Sequence, residues 1–371
     1  MKILYGVVGE GMGHATRSRV VLEHLRRRGH EVRIVASHGA ATFLDRHFGT
    51  VLPIEGMKMV FDEKNRVDRL KTTMNILWKG VTGLPRNVAT YFALLEDGFE
   101  PDVVISDFES WTHLYAMIHG LPILSLDNIQ IVGRCRMPAE VLAGRERDYA
   151  LNKLLVKTKL PFCDHYFLTS FFAPEVTEPR TSIHGPVLRR EILEADPVKG
   201  DHVLVYQSGG CDENLMKSLE ASGVECRAYG VRRGLEGEVV EGNVVHRPFD
   251  EAGFIEDLRT AKAVVATGGA TLMSEALHLH KPVLATPIAG QFEQNMNSIF
   301  LERAGFGRMT VGLEEGTVKS FLGDLNRYED ALGGYQRCGN RELLGALDEK
   351  LCALEAGHLA QSGRTEWASA S

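Results

Sequence analysis

The sequence predicts an α/β protein made of two doubly wound, parallel-sheet domains that face a central cleft. Three observations predict it. The chain has 371 residues, more than one core of ordinary size holds. Short apolar runs alternate with longer amphipathic ones through both halves, the rhythm of parallel strands covered by helices. Each half also opens with a strand that runs into a glycine-rich turn.

In the first half, residues 3–8, 32–36, 51–54, 103–106 and 123–126 read as strands, and 14–28, 39–48 and 111–119 as helices. In the second half the strands are 203–207, 226–229, 244–246, 264–267 and 283–286. The helices there are 214–222, 254–261, 272–279 and 296–304. The join falls in 185–200, where Gly185-Pro186, Asp196-Pro197 and Gly200 interrupt any strand pattern. The expected domains are therefore 1–186 and 187–340. A helix at 341–356 returns to the first domain, and a polar tail at 357–371 is disordered. Residues 56–101 form an insertion between the third and fourth strands. Its amphipathic stretch at 70–84, with Met74, Leu77 and Trp78, either packs on its own domain or forms a flap toward an acceptor or a membrane.

Composition narrows the function. Hydrophobic residues at 44% and charged residues at 25% exclude global disorder. No apolar run approaches the roughly 18 residues of a membrane span, and the stretch at 3–8 is short for a signal peptide, so a cytoplasmic place is expected. Contact with the inner face of a membrane stays open. None of the six cysteines forms a C-x-x-C pair, so neither a zinc site nor a disulfide framework is indicated. The net charge of −7 argues against nucleic acid as a partner.

The glycine loop Gly9-Glu10-Gly11-Met12-Gly13-His14 departs from a dinucleotide fingerprint. Its last glycine position holds His14, and the second strand ends V-A-S-H without an acid. What remains is a tight turn through Gly11 and Gly13 that delivers His14 to a helix start, where a neutral imidazole serves as a general base. Asp107 ends the fourth strand, V-V-I-S-D. In a sheet ordered 3-2-1-4-5 it emerges beside His14 at the switch point, where ligands bind. An acid there orients a histidine base. Asp107 could instead N-cap the next helix, in which case Glu109 takes the acidic role. Arg17, one turn after His14, either faces the same cleft to meet an anion or lies on the surface.

The second half carries a denser motif. V-V-A-T-G-G-A-T-L-M-S-E-A-L places Gly268, Gly269, Ala270 and Thr271 between a strand and a helix. Such a turn lets a ligand approach unpaired N–H groups at the positive end of a helix, which suits a diphosphate. Glu275 in the second turn suits ribose hydroxyls; as a capping-box acid it would stand one residue out of place. K-P-V-L-A-T-P-I-A-G-Q-F-E-Q then presents Gln291, Glu293 and Gln294, which suit sugar hydroxyls. Ser208, Gly209 and Gly210 end the first strand of this half and neighbour that loop. Arg247 and Phe249 follow the third strand, where a loop can hold a base by backbone contact and stacking.

These residues resemble the GT-B glycosyltransferases, whose two Rossmann-like domains face one cleft. The likeness is nearest to the MurG-like and UDP-glycosyltransferase-like group and its uncharacterised bacterial and archaeal relatives. It spans roughly residues 1–307. The resemblance implies an inverting, metal-independent transferase that needs no cofactor, the nucleotide-diphosphate sugar being a co-substrate, and it points to a UDP-linked donor. It implies a base at His14, diphosphate binding by Gly268, Gly269 and Ala270, ribose contact by Glu275 and sugar contact at 291–294. The acceptor would be a small molecule or lipid-linked. The first loop is poorer in glycine than in MurG, and its Arg17 pattern and middle insertion are its own, so MurG's acceptor does not carry over. The absence of any D-x-D agrees with a metal-free leaving group. A nucleotide-sugar epimerase on the same architecture, or a non-catalytic sugar-nucleotide-binding subunit, are the alternatives.

Overall fold

A computed structural model describes residues 1–9, 11–56, 83–207, 213–232, 234–336 and 339–369. The first half contains β1 (Lys2–Val7), α1 (Met12–Arg27), β2 (Glu31–Ser37), α2 (His38–Phe48), β3 (Val51–Ile54), α3 (Leu84–Glu96), β4 (Val103–Asp107), α4 (Ser110–His119) and β5 (Ile123–Asp127). Then come α5 (Ile131–Arg134), α6 (Ala139–Leu142), α7 (Glu146–Lys159), β6 (His165–Thr169) and β7 (Thr181–His184). These strands form one sheet in the order β3-β2-β1-β4-β5-β6-β7, all parallel. β1 is buried on both faces, as parallel strands under two helix layers must be. Ile3, Tyr5 and Val7 point toward α1 and α2, and Leu4 and Val8 toward the opposite layer.

The second half begins with α8 (Arg190–Leu193), β8 (Val203–Tyr206), α9 (Glu213–Ser222), β9 (Cys226–Tyr229), β10 (Val239–Glu241), β11 (Val244–His246), α10 (Glu251–Thr260) and β12 (Ala263–Ala266). It continues with α11 (Ala270–His278), β13 (Val283–Ala285), α12 (Phe292–Arg303), β14 (Gly307–Met309), α13 (Thr317–Gly323) and α14 (Leu325–Leu332). Its sheet runs β10-β11-β9-β8-β12-β13-β14, parallel except for the β10–β11 pair. The expected neighbours, first and fourth strand of each half, are paired: Val7 lies opposite Asp107, and Ala266 opposite Tyr206. The edge strands β7, β10 and β14, which are short and weakly patterned, were not read from the sequence, nor was β6 beside β7.

The last helix, α15 (Arg341–Ser369), crosses back to the first half. Leu343, Leu347 and Leu351 join the core beneath α1, and Asp348 pairs with His24 and Arg28. Its backbone is helical to Ser369, past the end at 356 that the sequence suggested. The stretch 57–82, with Met74, Leu77 and Trp78, lies outside the described residues, as do Glu10, Ser208, Gly209 and Gly210.

The two halves share more than a linker. Phe292 and Met296 of α12 are buried in the core of the first half, and the Phe300 ring stacks on Phe172 at 3.9 Å between centroids. The helix that carries the 291–294 motif is therefore anchored on the opposite domain.

Candidate active site

The C-terminal ends of β1, β4 and β5 meet those of β8 and β12 across one cavity of about 420 Å³, within the range that holds a small ligand. Gly11 opens it. At φ +80° it takes a conformation that favours glycine, and it precedes α1 with no side chain capping the helix. His14 then falls in the first turn of α1 and faces the cavity. Gly13 faces α11 across the cleft: a Cβ there would stand 2.6 Å from Thr271 Oγ1. Only a glycine lets the two helix starts approach this closely.

Beneath His14 lies a buried ionic cluster. His14 Nδ1 is 2.7 Å from Asp107 Oδ1. Arg17 donates Nε to Oδ2 at 3.0 Å and Nη2 to Oδ1 at 2.6 Å, a two-pronged pair, and Ser18 Oγ donates to Oδ2 at 2.9 Å. Asp107 is 0% and Arg17 4% exposed. Burial pushes the Asp107 carboxyl upward, but the Arg17 guanidinium and His14 outweigh it and hold the group below the usual carboxylate range. An ionised Asp107 only accepts, while Arg17 Nη2, 2.9 Å from the same Nδ1, only donates; the Asp107 contact is the shorter and assigns the proton to Nδ1, which leaves Nε2 as the acceptor atom. Next door, burial and the Asp107 charge raise Asp127, which caps the β5 turn through Gln130 N.

Several sequence expectations change here. Asp107 caps nothing. Two residues separate it from α4, and the one that adjoins the helix is Glu109, whose carboxylate takes Trp111 N, Thr112 N and Thr112 Oγ1, each at 2.7 Å. Glu109 is therefore the helix cap, buried and away from the cavity. Arg17 lines the cavity, yet its fork is committed to Asp107 rather than open to a ligand anion.

On the other side, Gly269 is the N-cap residue of α11, with no side-chain cap bond and no acid in the first turn. Gly269, Ala270, Thr271 and Glu275 all line the cavity. Gly268 does not: its space is taken by α12, where a Cβ would come 2.2 Å from the Gln294 carbonyl. It is a packing glycine that seats the loop on α12. Glu275 is bound on both oxygens by Arg189, at 2.7 Å each, and is 1% exposed. The carboxylate expected to meet ribose hydroxyls is thus already paired within the protein. Arg189 also donates to Glu251 at 3.0 Å; burial works against its charge, and the two acids overcome this and raise its pKa.

Gln291, Glu293 and Gln294 line the cavity at the start of α12. Gln294 Oε1 accepts from Ile288 N and so holds the loop. Glu293 Oε1 accepts from Asn128 Nδ2 at 2.7 Å, a bond from one half of the chain to the other. Phe249 lines the cavity and is 59% exposed, backed by Phe254 and Tyr206. Arg247 does not line it. Its guanidinium lies against Glu238 and Asp257, at 2.8 and 2.9 Å, on the far side of the strand end.

Sequence reading missed Ser18, Asn128, Arg189 and Glu251. Asn128 had a signal: it follows β5, which neighbours β4 at the switch point. Arg189 sits in the segment read as a join and carried none.

A family model described as glycosyl transferase family 1 matches residues 1–326. An uncharacterized glycosyltransferase of Methanosarcina mazei is 25% identical over 338 residues, covering 83% of this chain and 85% of that protein. One from Methanosarcina acetivorans is 24% identical over 339 residues, with the same coverage of 83% and 85%. Among solved structures, the glycotransferase of kitacinnamycin superposes with a TM-score of 0.68 at 18% identity, over 94% of this chain and 98% of that one. The calicheamicin glycosyltransferase gives 0.65 at 15%, over 94% and 98%. At such identities these structures establish the shared two-domain fold.

Proposed function

The chain belongs to glycosyl transferase family 1, and we propose that it is an inverting, metal-independent member that moves a sugar from a UDP-linked donor to a hydroxyl acceptor. The observation that carries this reading is the opposition of two groups across one cavity. His14, held by Asp107, faces the uncapped start of α11. His14 Nε2 takes the proton of the acceptor hydroxyl, and the resulting imidazolium is stabilised by the Asp107 carboxylate. The acceptor oxygen forms its bond to the anomeric carbon as the bond to the diphosphate oxygen breaks on the opposite face, which inverts the centre. The N–H groups and dipole of α11 receive the departing charge. Phe249, with Phe254 and Tyr206 behind it, offers a flat face on which a nucleobase stacks. The preference for uracil follows the group this chain resembles.

The test is His14→Ala. The variant should bind UDP as the parent does and lose ~10²–10⁴-fold in turnover. Near-normal turnover would remove His14 from the mechanism. Thermal-shift screening with UDP-, GDP- and dTDP-sugars identifies the donor base, since a ligand that binds the folded state raises its apparent stability.

For the acceptor, the outer face of α3, α4 and α7 supports a lipid-linked molecule presented at an anionic membrane. Leu84, Val88, Phe92 and Leu95 form an exposed stripe on α3. Leu114, Met117 and Ile118 do so on α4, and Leu151, Leu154 and Leu155 on α7. Lys153, Lys157 and Lys159 interleave the α7 stripe. Glu55, bonded to Asn87 and Arg86 of α3, lies 3.4 Å from His38 of the cavity wall, so this face adjoins the cavity. No helix among the described residues is long and apolar enough to cross a membrane. Co-sedimentation with phosphatidylglycerol vesicles, lost in Leu151→Glu/Leu154→Glu, checks this; equal pelleting with and without vesicles refutes it.

A further inference from the structure

Resting on the transfer reading above, we propose that Asn128 is a positioning residue that sets the histidine base and the sugar-binding carboxylate against each other across the domain boundary. Asn128 follows β5 and is 6% exposed. Its Oδ1 accepts from Arg17 Nη1 at 2.8 Å, and its Nδ2 donates to Glu293 Oε1 at 2.7 Å. The partners fix this orientation: a guanidinium only donates and a carboxylate only accepts. From Arg17 the bonds continue to Asp107 and so to His14. From Glu293 they continue through Asn297, whose Nδ2 lies 3.2 Å from the same Oε1 and 2.9 Å from the Gly268 carbonyl. One unbroken hydrogen-bonded chain thus joins the imidazole to the loop before α11.

The chemistry at position 128 is narrow. The side chain must accept from a cation on one side and donate to an anion on the other while staying neutral. Leucine breaks both bonds. Aspartate keeps the Arg17 bond and sets a second carboxylate against Glu293. Both amides that reach Glu293 use Oε1, and Oε2 has no hydrogen bond among the described residues. Oε2 is the atom left for a sugar hydroxyl, and Asn128 fixes where it points. With α12 anchored by Phe292 and Met296 in the first half's core, this alignment is held from both ends.

The experiment uses the full chain, with Asn128→Asp, Asn128→Leu and Asn128→Asp/Glu293→Gln. Two readouts are taken. The ring ¹⁵N resonances of His14, assigned by their loss in His14→Gln, need no donor. Release of UDP from UDP-GlcNAc, with water taking the sugar in place of the acceptor hydroxyl, gives kcat and KM between pH 5.5 and 8.5. Both single variants should move the His14 resonances. Asn128→Asp should lose about tenfold in kcat at pH 8, the worth of one hydrogen bond to a charged group. It should recover toward pH 5.5, where a proton shared by the two carboxylates relieves their repulsion. Asn128→Leu should show no such recovery. The double variant should restore the His14 resonances at pH 8, because the new amide donates to the new carboxylate. A purely structural asparagine predicts a lower melting temperature with kcat and its pH profile unchanged. His14 resonances that stay in place in both single variants overturn the proposal. If the parent protein shows no turnover while those resonances respond, the relay stands and the transfer reading falls.

Discussion

Replacing Asp107 by asparagine tests the ionic cluster beneath His14 directly. The carboxylate is 0% exposed and accepts from Arg17 twice, from Ser18 and from His14. Asparagine keeps the shape but removes the charge, so the Arg17 guanidinium, 4% exposed, is left buried without its counter-ion. Breaking a buried pair from one side costs about 3–5 kcal/mol. For a domain of this size each kcal/mol moves the midpoint by roughly 2–4 °C, so the first transition in calorimetry at pH 7 should fall by about 6–20 °C. Asp107→Asn combined with Arg17→Met removes both charges, and most of the loss should return. The sign with pH is fixed by the depressed Asp107 pKa. Its stabilisation is fully present above the ordinary value of 3.8 and is lost as pH falls through the lower folded value, so the gap between parent and variant should hold down to 3.8 and close only at more acid pH. A midpoint drop under about 2 °C, or a double variant as damaged as the sum of the singles, would refute the reasoning.

Two further substitutions probe the cleft and the second domain. Gly13→Ala places a methyl 2.6 Å from Thr271 Oγ1 and should wedge the helix starts apart. Donor KM should rise about tenfold or more and return with Thr271→Ala; unchanged KM in titrations with the donor would show the cleft is more open than described. Lys281 is 4% exposed, its ammonium bonded to the Val198 carbonyl, and burial first, with Arg259, lowers its pKa to about 8. A lysine depressed this way destabilises the fold below pH 8, and the penalty fades as pH rises toward its unfolded value of 10.5. Lys281→Met should therefore stabilise at pH 7 by roughly 1–3 kcal/mol after the lost hydrogen bond, with the gain vanishing by about pH 11 in urea titrations.

The sequence was most informative where one strand or one turn decides the chemistry. The apolar runs of β1, β4, β8 and β12 and the glycines behind them gave the sheet order, the switch points and the facing helix starts. Those features are local: chain direction at a strand end, and N–H groups free at a helix start, follow from a few neighbouring residues. Edge strands such as β7 and β14 escaped because they are only partly covered and carry little pattern.

Which polar group meets which was settled only by packing. Asp107 and Glu109 are both acids at the end of β4, and the sequence cannot say which one caps α4. The turn through Phe108, at φ +54°, decides it by placing Glu109 against the first free N–H groups. Gly268 and Gly269 look equivalent in the chain, yet α12 fills the space over one and leaves the other open to the cavity. Arg189 and Asn128 carry no motif, and they complete the site because the linker and β5 bring them there from 86 and 165 residues away from their partners. Local hydrogen bonding and periodicity are written in short stretches of sequence. A long-range ion pair depends on where two separate backbones come to rest, and that is fixed by the whole core at once.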